Sequence, residues 1–321
     1  VNHVIALDVG GTGMKAALVG PDGRVHYEER RPTHRERGPE AVTEAICEFV
    51  LALRDEGVRR LGEGPRAVGL AVPGTIDEAT GTVVFAANIG WRDVPLRELL
   101  TRRLAADGQH PVPVALGHDV RSGGLAEGRL GAGRGAGRFV FVALGTGIAG
   151  AIGLDGRIEA GAHGYGGEIG HVVVRPGGRP CGCGARGCLE TYASAAAVGR
   201  AWAEARGGAD AGGRTTAGAA DCARAVAAGD PVAGAVWQEA VDALADGLLV
   251  CLSLLDPGTV IVGGGLAEAG DTLFDPLRRA VRDRLTFQVP PRLVPATLGD
   301  TAACLGAGLL AWDLISQEVT A

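Results

Sequence analysis

The 321-residue chain contains one lysine, Lys15, one methionine and only 4% aromatic residues. It has no run of about 18 apolar residues that could cross a bilayer. The segment from Val1 to Ala6 lacks the charged head and long apolar stretch of a secretory signal. Thirty-one basic against thirty-seven acidic side chains leave a net charge of −6, without the positive excess that a nucleic-acid or membrane-surface binder carries. These absences predict a soluble, cytoplasmic protein with small-molecule ligands and no nucleic-acid or membrane partner. Seven cysteines is an odd number for a disulfide framework, and the predicted compartment is reducing.

What the chain does have is glycine, 54 residues of it, and enough apolar sequence (46%) for more than one core. The length predicts two lobes, and the expected division is 1–118 with 301–321 against 119–300. Many glycines cluster directly after apolar runs. Val4 to Val9 reads as a strand leading into Gly10, Gly11 and Gly13, and Met14 to Val19 as the returning strand. A Pro21-Asp22-Gly23 turn and a third strand follow. Arg138 to Leu144, Gly145-Thr146-Gly147, Ile148 to Leu154 and Asp155-Gly156 repeat the plan. Thr259 to Val262 runs into Gly263-Gly264-Gly265. Helical spacing is predicted for Pro39 to Glu56, ending at Gly57, for Leu96 to Leu104, within 195–252 around a Gly/Ala stretch near 207–220, and for Ala302 to Ile315. Strands and helices mixed throughout predict an α/β architecture.

Gly11-Thr12-Gly13-Met14-Lys15-Ala16 matches a dinucleotide fingerprint only superficially, because a strand follows where that motif opens a helix. Strand–loop–strand hairpins whose backbone N–H groups face a polyphosphate fit better. Three such loops, at 8–15, 144–147 and 263–265, predict a nucleotide cleft. Asp8 would hold Mg²⁺ through water, since hard cations prefer oxygen ligands. Lys15 is either a phosphate contact or a surface residue.

His171, Cys181, Cys183 and Cys188 form a separate cluster in a Gly-rich segment. Three thiolates and an imidazole make a tetrahedral zinc set, and four protein ligands leave no open position for water. The predicted Zn²⁺ is therefore structural. Glu168 and Glu190 flank the cluster and could be oriented by it.

Gly167-Glu168-Ile169-Gly170-His171 followed by Cys-Gly-Cys-Gly-x-x-Gly-Cys-x-Glu at 181–190 resembles the signature of the ROK family of sugar kinases and repressors. The resemblance extends from residue 4 to about 310. It implies an actin-like, ribonuclease H-like ATPase fold of two lobes, with ATP and sugar meeting in the interlobe cleft, and a homodimer or higher homo-oligomer. By position, it makes Asp119 the catalytic base toward a sugar hydroxyl. Gly74, Asn88, His118, Asp119, Glu168, His171 and Glu190 become the sugar site. Asp8, Gly10, Gly11, Thr12, Gly13 and Lys15, with Gly145, Thr146 and Gly147, become the phosphate loops, and Gly264 and Gly265 the adenosine side.

The chain departs from the family in having His118 where Asn is usual, and in placing its loop lysine two positions later. The second feature is shared with polyphosphate-using relatives, although those generally lack the cysteine cluster. Read from the residues alone, Asp119 could instead cap the helix predicted from Val120. The implied activity is ATP-dependent phosphorylation of a hexose, glucose first, with N-acetylmannosamine, N-acetylglucosamine or fructose as the alternative substrate. A non-catalytic sugar-binding module is the alternative. A repressor would need a DNA-reading domain, and only seven residues precede Asp8.

Overall fold

A computed structural model describes residues 1–106, 112–207 and 218–318. Most of the Gly/Ala stretch expected near 207–220 lies outside the described residues. The chain divides into two compact α/β units. Unit 1 comprises Val1–Ala126, Ala160–Tyr165 and Asp300–Ala321, and unit 2 comprises Glu127–Glu159 and Gly166–Gly299. The boundary thus falls at 126/127 rather than 118/119, and a short segment at 160–165 joins the first unit.

Unit 1 is built on β1 (Val4–Val9), β2 (Gly13–Val19), β3 (Val25–Pro32), β4 (Val68–Val72) and β8 (Val114–His118), in the order β3-β2-β1-β4-β8. β1 pairs antiparallel with β2 and parallel with β4, which pairs parallel with β8. Alternation along β1 sends Ile5, Leu7 and Val9 into one core and Val4 and Ala6 into another. The first core is filled by Ile46, Phe49, Val50 and Leu53 of α1 (Pro39–Leu61). The second is small-residue packing against the C-terminal helix Ala302–Glu318, through Ala307 and Ala311. A Cβ on Gly69 of β4 would stand 1.8 Å from the Ala307 carbonyl oxygen, so this glycine lets helix and sheet approach closely. A side sheet, β5 (Thr75–Asp77), β6 (Thr82–Ala86) and β7 (Trp91–Val94), and the helix α2 (Leu96–Ala105) complete the layer.

α1 does not stop at Gly57 but continues to Leu61, with Gly62 as its left-handed cap. Gly57 is retained inside the helix because His3 fills its side-chain space: a Cβ there would meet His3 Nε2 at 2.5 Å.

α3 (Asp119–Arg129) leads from unit 1 into unit 2. Unit 2 repeats the sheet with β9 (Arg138–Leu144), β10 (Ile148–Leu154), β11 (Arg157–Glu159), β12 (Thr259–Gly263) and β13 (Arg292–Pro295), ordered β11-β10-β9-β12-β13. The pairing senses match those of unit 1 strand for strand. This is the duplicated plan seen in the two glycine-loop hairpins. Its core packs against α4 (Glu190–Ala193), α5 (Ala195–Ala205), α6 (Ala219–Ala227), α7 (Pro231–Leu255) and α8 (Asp271–Arg284). Pro276 lies inside α8 and has no N–H for the carbonyl of Thr272. Trp237 Nε1 donates to that carbonyl instead, at 2.9 Å, so the proline leaves no orphan acceptor. Among the described residues no helix is long and apolar enough to cross a membrane.

Candidate active site

In unit 1 the first glycine loop joins β1 to β2. Gly10 N–H donates to Gly13 O at 2.9 Å, and a Cβ on Gly10 would crowd that same oxygen. The loop is stapled to the end of β3 by Thr33, whose hydroxyl donates to Gly10 O (2.6 Å) and whose N–H donates to Thr12 O (3.1 Å). Two of the loop's carbonyls are thereby occupied, and Thr12 remains exposed at the tip. Gly11 faces Asn88: a Cβ on it would lie 3.6 Å from Asn88 Cβ, which brings a predicted phosphate residue beside a predicted sugar residue. Gly74 has φ +99°, and a Cβ would be 2.2 Å from Phe85 O. The turn between β4 and β5 therefore tolerates only glycine.

Asp8 stands opposite Lys15 across β1 and β2. Burial, reinforced by the negative charge of Asp119, pushes its carboxyl up to about 7, against a smaller opposing pull from Lys15. Asp119 is the first residue of α3. Its carboxyl is also raised by burial, while His118, the Val120 N–H and Arg121 pull the other way. Asp119 Oδ1 accepts the Val120 N–H at 2.7 Å and lies 3.3 Å from His118 Nδ1. An N-cap carboxylate ordinarily reaches two or three residues ahead. Here it bonds the next residue, so its second oxygen is not used in that capping pattern.

Lys15 reaches Asp300 at the start of the C-terminal helix, 2.7 Å to its carbonyl and 3.4 Å to its carboxylate. Arg121, which no motif singled out, is buried. Its guanidinium donates to Glu78 Oε1 at 3.0 Å and to Gly164 O at 2.7 Å, fixing the 160–165 segment on unit 1.

In unit 2 the second loop is a matching turn, with Gly145 N–H on Gly147 O at 3.0 Å and exposed Thr146 at its tip. Ala195 N–H occupies Gly145 O. Glu190 lies directly beneath: its Oε2 accepts the Ile148 N–H at 2.8 Å, and a Cβ on Gly147 would meet that oxygen at 2.4 Å. Glu190 is therefore a support for this loop, a role that its place in the sequence pattern does not reveal. Gly264 has φ +84°, and its missing Cβ would overlap the Leu144 backbone at about 2.6 Å, so the third loop rests on the second. Beyond Gly265 opens a pocket of ≈ 370 Å³ walled by Ala223, Trp237, Leu266 and Ala269, with Arg224 and Glu268 on its margin. An apolar slot with a few polar groups suits a flat aromatic base.

Gly167, at φ +93°, and Gly170 lie on the β10 backbone, where a Cβ would come within 2.3 Å of Gly150 O and 2.1 Å of Ile148 O respectively. Glu168, partly buried, and exposed His171 are carried on this segment. His171 Nδ1 lies 3.7 Å from Cys181 Sγ, and Cys183 Sγ lies 3.7 Å from Cys188 Sγ. The four ligand atoms all fall within 4.8 Å of one another. Sulfur and nitrogen ligands tetrahedrally around zinc stand roughly 3.5–3.8 Å apart. Both closest edges match, so the donor set fits a zinc ion. Burial and its thiol neighbours push Cys188 up to about 12, while the Ala185 N–H holds exposed Cys183 below its usual value. Such a convergence of ionisable thiols is what a cation would compensate.

The model of the ROK family matches residues 4–313. The glucokinase of Thermotoga maritima is 37% identical over 314 residues, covering 95% of each chain. A ROK hexokinase from Thermus thermophilus superposes with a TM-score of 0.85 at 33% identity, over 98% of this chain and 99% of that one. A ROK family glucokinase from Streptomyces griseus, solved in complex with glucose and AMPPNP, does so with a TM-score of 0.77 at 31% identity, over 97% and 100%. With its duplicated α/β units, paired glycine loops and Cys₃His cluster, this chain belongs to the ROK family.

Proposed function

We infer that the chain is an ATP-dependent hexose kinase that converts glucose to glucose 6-phosphate. The observation that carries this reading is Asp119, a partly buried carboxylate of raised proton affinity at the start of α3, sharing its electrostatic surroundings with Asp8 beside the first glycine loop. A sugar hydroxyl is a poor nucleophile at neutral pH and needs a base within hydrogen-bond reach. In the proposed reaction the 6-hydroxyl oxygen forms a bond to the γ-phosphorus while its proton passes to Asp119. The bond from that phosphorus to the β–γ bridging oxygen breaks, releasing ADP. Burial makes Asp119 a stronger base, an effect that His118, the Val120 N–H and Arg121 partly offset.

The remaining site residues take supporting parts. Asn88, Glu168, His171 and Glu190 would bind sugar hydroxyls, with Gly74 shaping the turn nearby and His118 orienting the base. Gly10 to Gly13 and Gly145 to Gly147 would hold the phosphates, and the pocket beyond Gly264 and Gly265 would take the adenosine. Asp8 is the residue that would hold Mg²⁺ through water; when bound, the ion neutralises phosphate charge. His171, Cys181, Cys183 and Cys188 would hold Zn²⁺ in a closed shell, fixing the segment that carries Glu168 and Glu190. Phosphorylation of glucose, N-acetylmannosamine, N-acetylglucosamine and fructose, measured side by side with Mg·ATP, tests the assignment. Glucose should be turned over with the highest kcat/KM, and a preference for another sugar would reassign the substrate.

A further inference from the structure

The only lysine of the chain is committed to Asp300, which leaves open which cation serves the first phosphate loop. The end of β3 supplies one. Thr33 is 1% exposed and pins the chain to the loop by its two hydrogen bonds, to Gly10 O and Thr12 O. The next residue, His34, has φ +53° and ψ +44°, a left-handed conformation that side chains other than glycine seldom adopt. That turn carries Arg35 back over the loop. Its Nη1 lies 3.7 Å from the point where a Cβ on Gly11 would stand, on the side of the loop that also faces Asn88. Arg35 is exposed, and among the described residues no hydrogen bond, ion pair or ring contact engages its guanidinium.

Building on the kinase reading, we propose that Arg35 contacts the phosphoryl group as it passes from ATP to the sugar. A planar guanidinium offers paired N–H donors to phosphate oxygens, and it matters most where charge is spread over those oxygens in the transition state. Its place beside Gly11, on the side of the loop that also faces Asn88, puts this positive charge next to the phosphate loop and toward the proposed sugar contact.

The side chain is exposed, so Arg35→Ala should fold and melt as wild type does. Its kcat should fall on the order of 10²–10³-fold, the scale of a lost transition-state charge contact, with sugar KM little changed. Arg35→Lys should recover only part of the rate, because an ammonium gives a point charge and no fork. Arg37→Ala, on the same exposed turn, should behave as wild type. A kcat for Arg35→Ala within about threefold of wild type, a barrier change under roughly 0.7 kcal/mol, overturns the assignment. So does a loss expressed only as a raised sugar KM. Calorimetric titration with inorganic tripolyphosphate gives a readout independent of turnover, in which Arg35→Ala should bind several-fold more weakly. If wild type failed to phosphorylate any hexose, the kinase reading would fall, and equal tripolyphosphate binding by both proteins would then overturn the Arg35 proposal on its own terms.

Discussion

Replacing Asp8 by Asn should make the metal-free protein more stable and the enzyme inactive. Burial and the nearby Asp119 hold the Asp8 carboxyl at about 7 against an ordinary 3.8. A raised folded-state value for an acid means that the folded protein binds a proton more tightly than the unfolded chain. Stability is then lost as pH rises from about 4 to about 7, and the loss is complete above 7. A displacement of about three pH units corresponds to at most ~4 kcal/mol at pH 8, and charge screening makes ~2–4 kcal/mol the working range. Asn occupies the same volume without the charge and also relieves Asp119. At about 2–4 °C per kcal/mol for a unit of this size, Asp8→Asn should melt on the order of 5–15 °C higher at pH 8. The gain should shrink through pH 7 and be nearly absent at pH 4. Thermal melts of both proteins in chelator at pH 4, 5, 7 and 8 read this directly. Mg·ATP should raise the melting temperature of wild type more than that of the variant, because the cation compensates a charge the variant lacks. Equal or lower stability of Asp8→Asn at pH 8 would refute the argument.

Two other substitutions probe separate parts of unit 2. Cys183→Ser should lose about one zinc per chain by elemental analysis and lower the melting temperature, since a structural site contributes folding free energy directly; native protein purified without chelator and free of zinc would contradict the four-ligand assignment. Gly264→Ala combines a left-handed backbone with a Cβ driven into the Leu144 backbone, and should cost about 2–5 kcal/mol together with ATP binding. A melt and an ATP titration matching wild type would show that the two loops separate easily.

The parts of the fold carried by local pattern were legible in the sequence. β1, β2 and β9 each follow from an apolar run ended by glycine and β10 from one ended by Asp155-Gly156, and the cysteine cluster follows from donor chemistry and close spacing. What was hidden depends on partners distant in the chain. Gly57 looks like a helix end until His3 is seen to need its space. α8 has apolar residues at Leu273, Phe274, Leu277, Ala280 and Val281, a helical spacing, but Pro276 interrupts it, and the Trp237 donor that satisfies the freed Thr272 carbonyl is distant in the chain. The short strands β5, β7 and β11 have three or four residues each, too few for an alternation to stand out. For the candidate site, motifs singled out Asp8 and Asp119, whereas Arg121 and the proposed Arg35 belong to none and emerge only from what their guanidinium groups face. Glu190 is expected as a sugar residue from the pattern, yet its bond to Ile148 N–H is a tertiary contact that spacing cannot encode.

The most direct test of the account is the rate of glucose 6-phosphate formation from glucose and Mg·ATP by wild type and Asp119→Asn, with glucose affinity and melting temperature measured on the same samples. Asn keeps the shape and the hydrogen-bonding capacity of Asp119 but cannot take the hydroxyl proton. Wild type should turn over with one ADP released per glucose phosphorylated. Asp119→Asn should lose on the order of 10²–10⁴-fold in kcat, with glucose affinity and stability little changed. A wild type without turnover, or an Asp119→Asn enzyme within about threefold of wild-type kcat, would contradict the account.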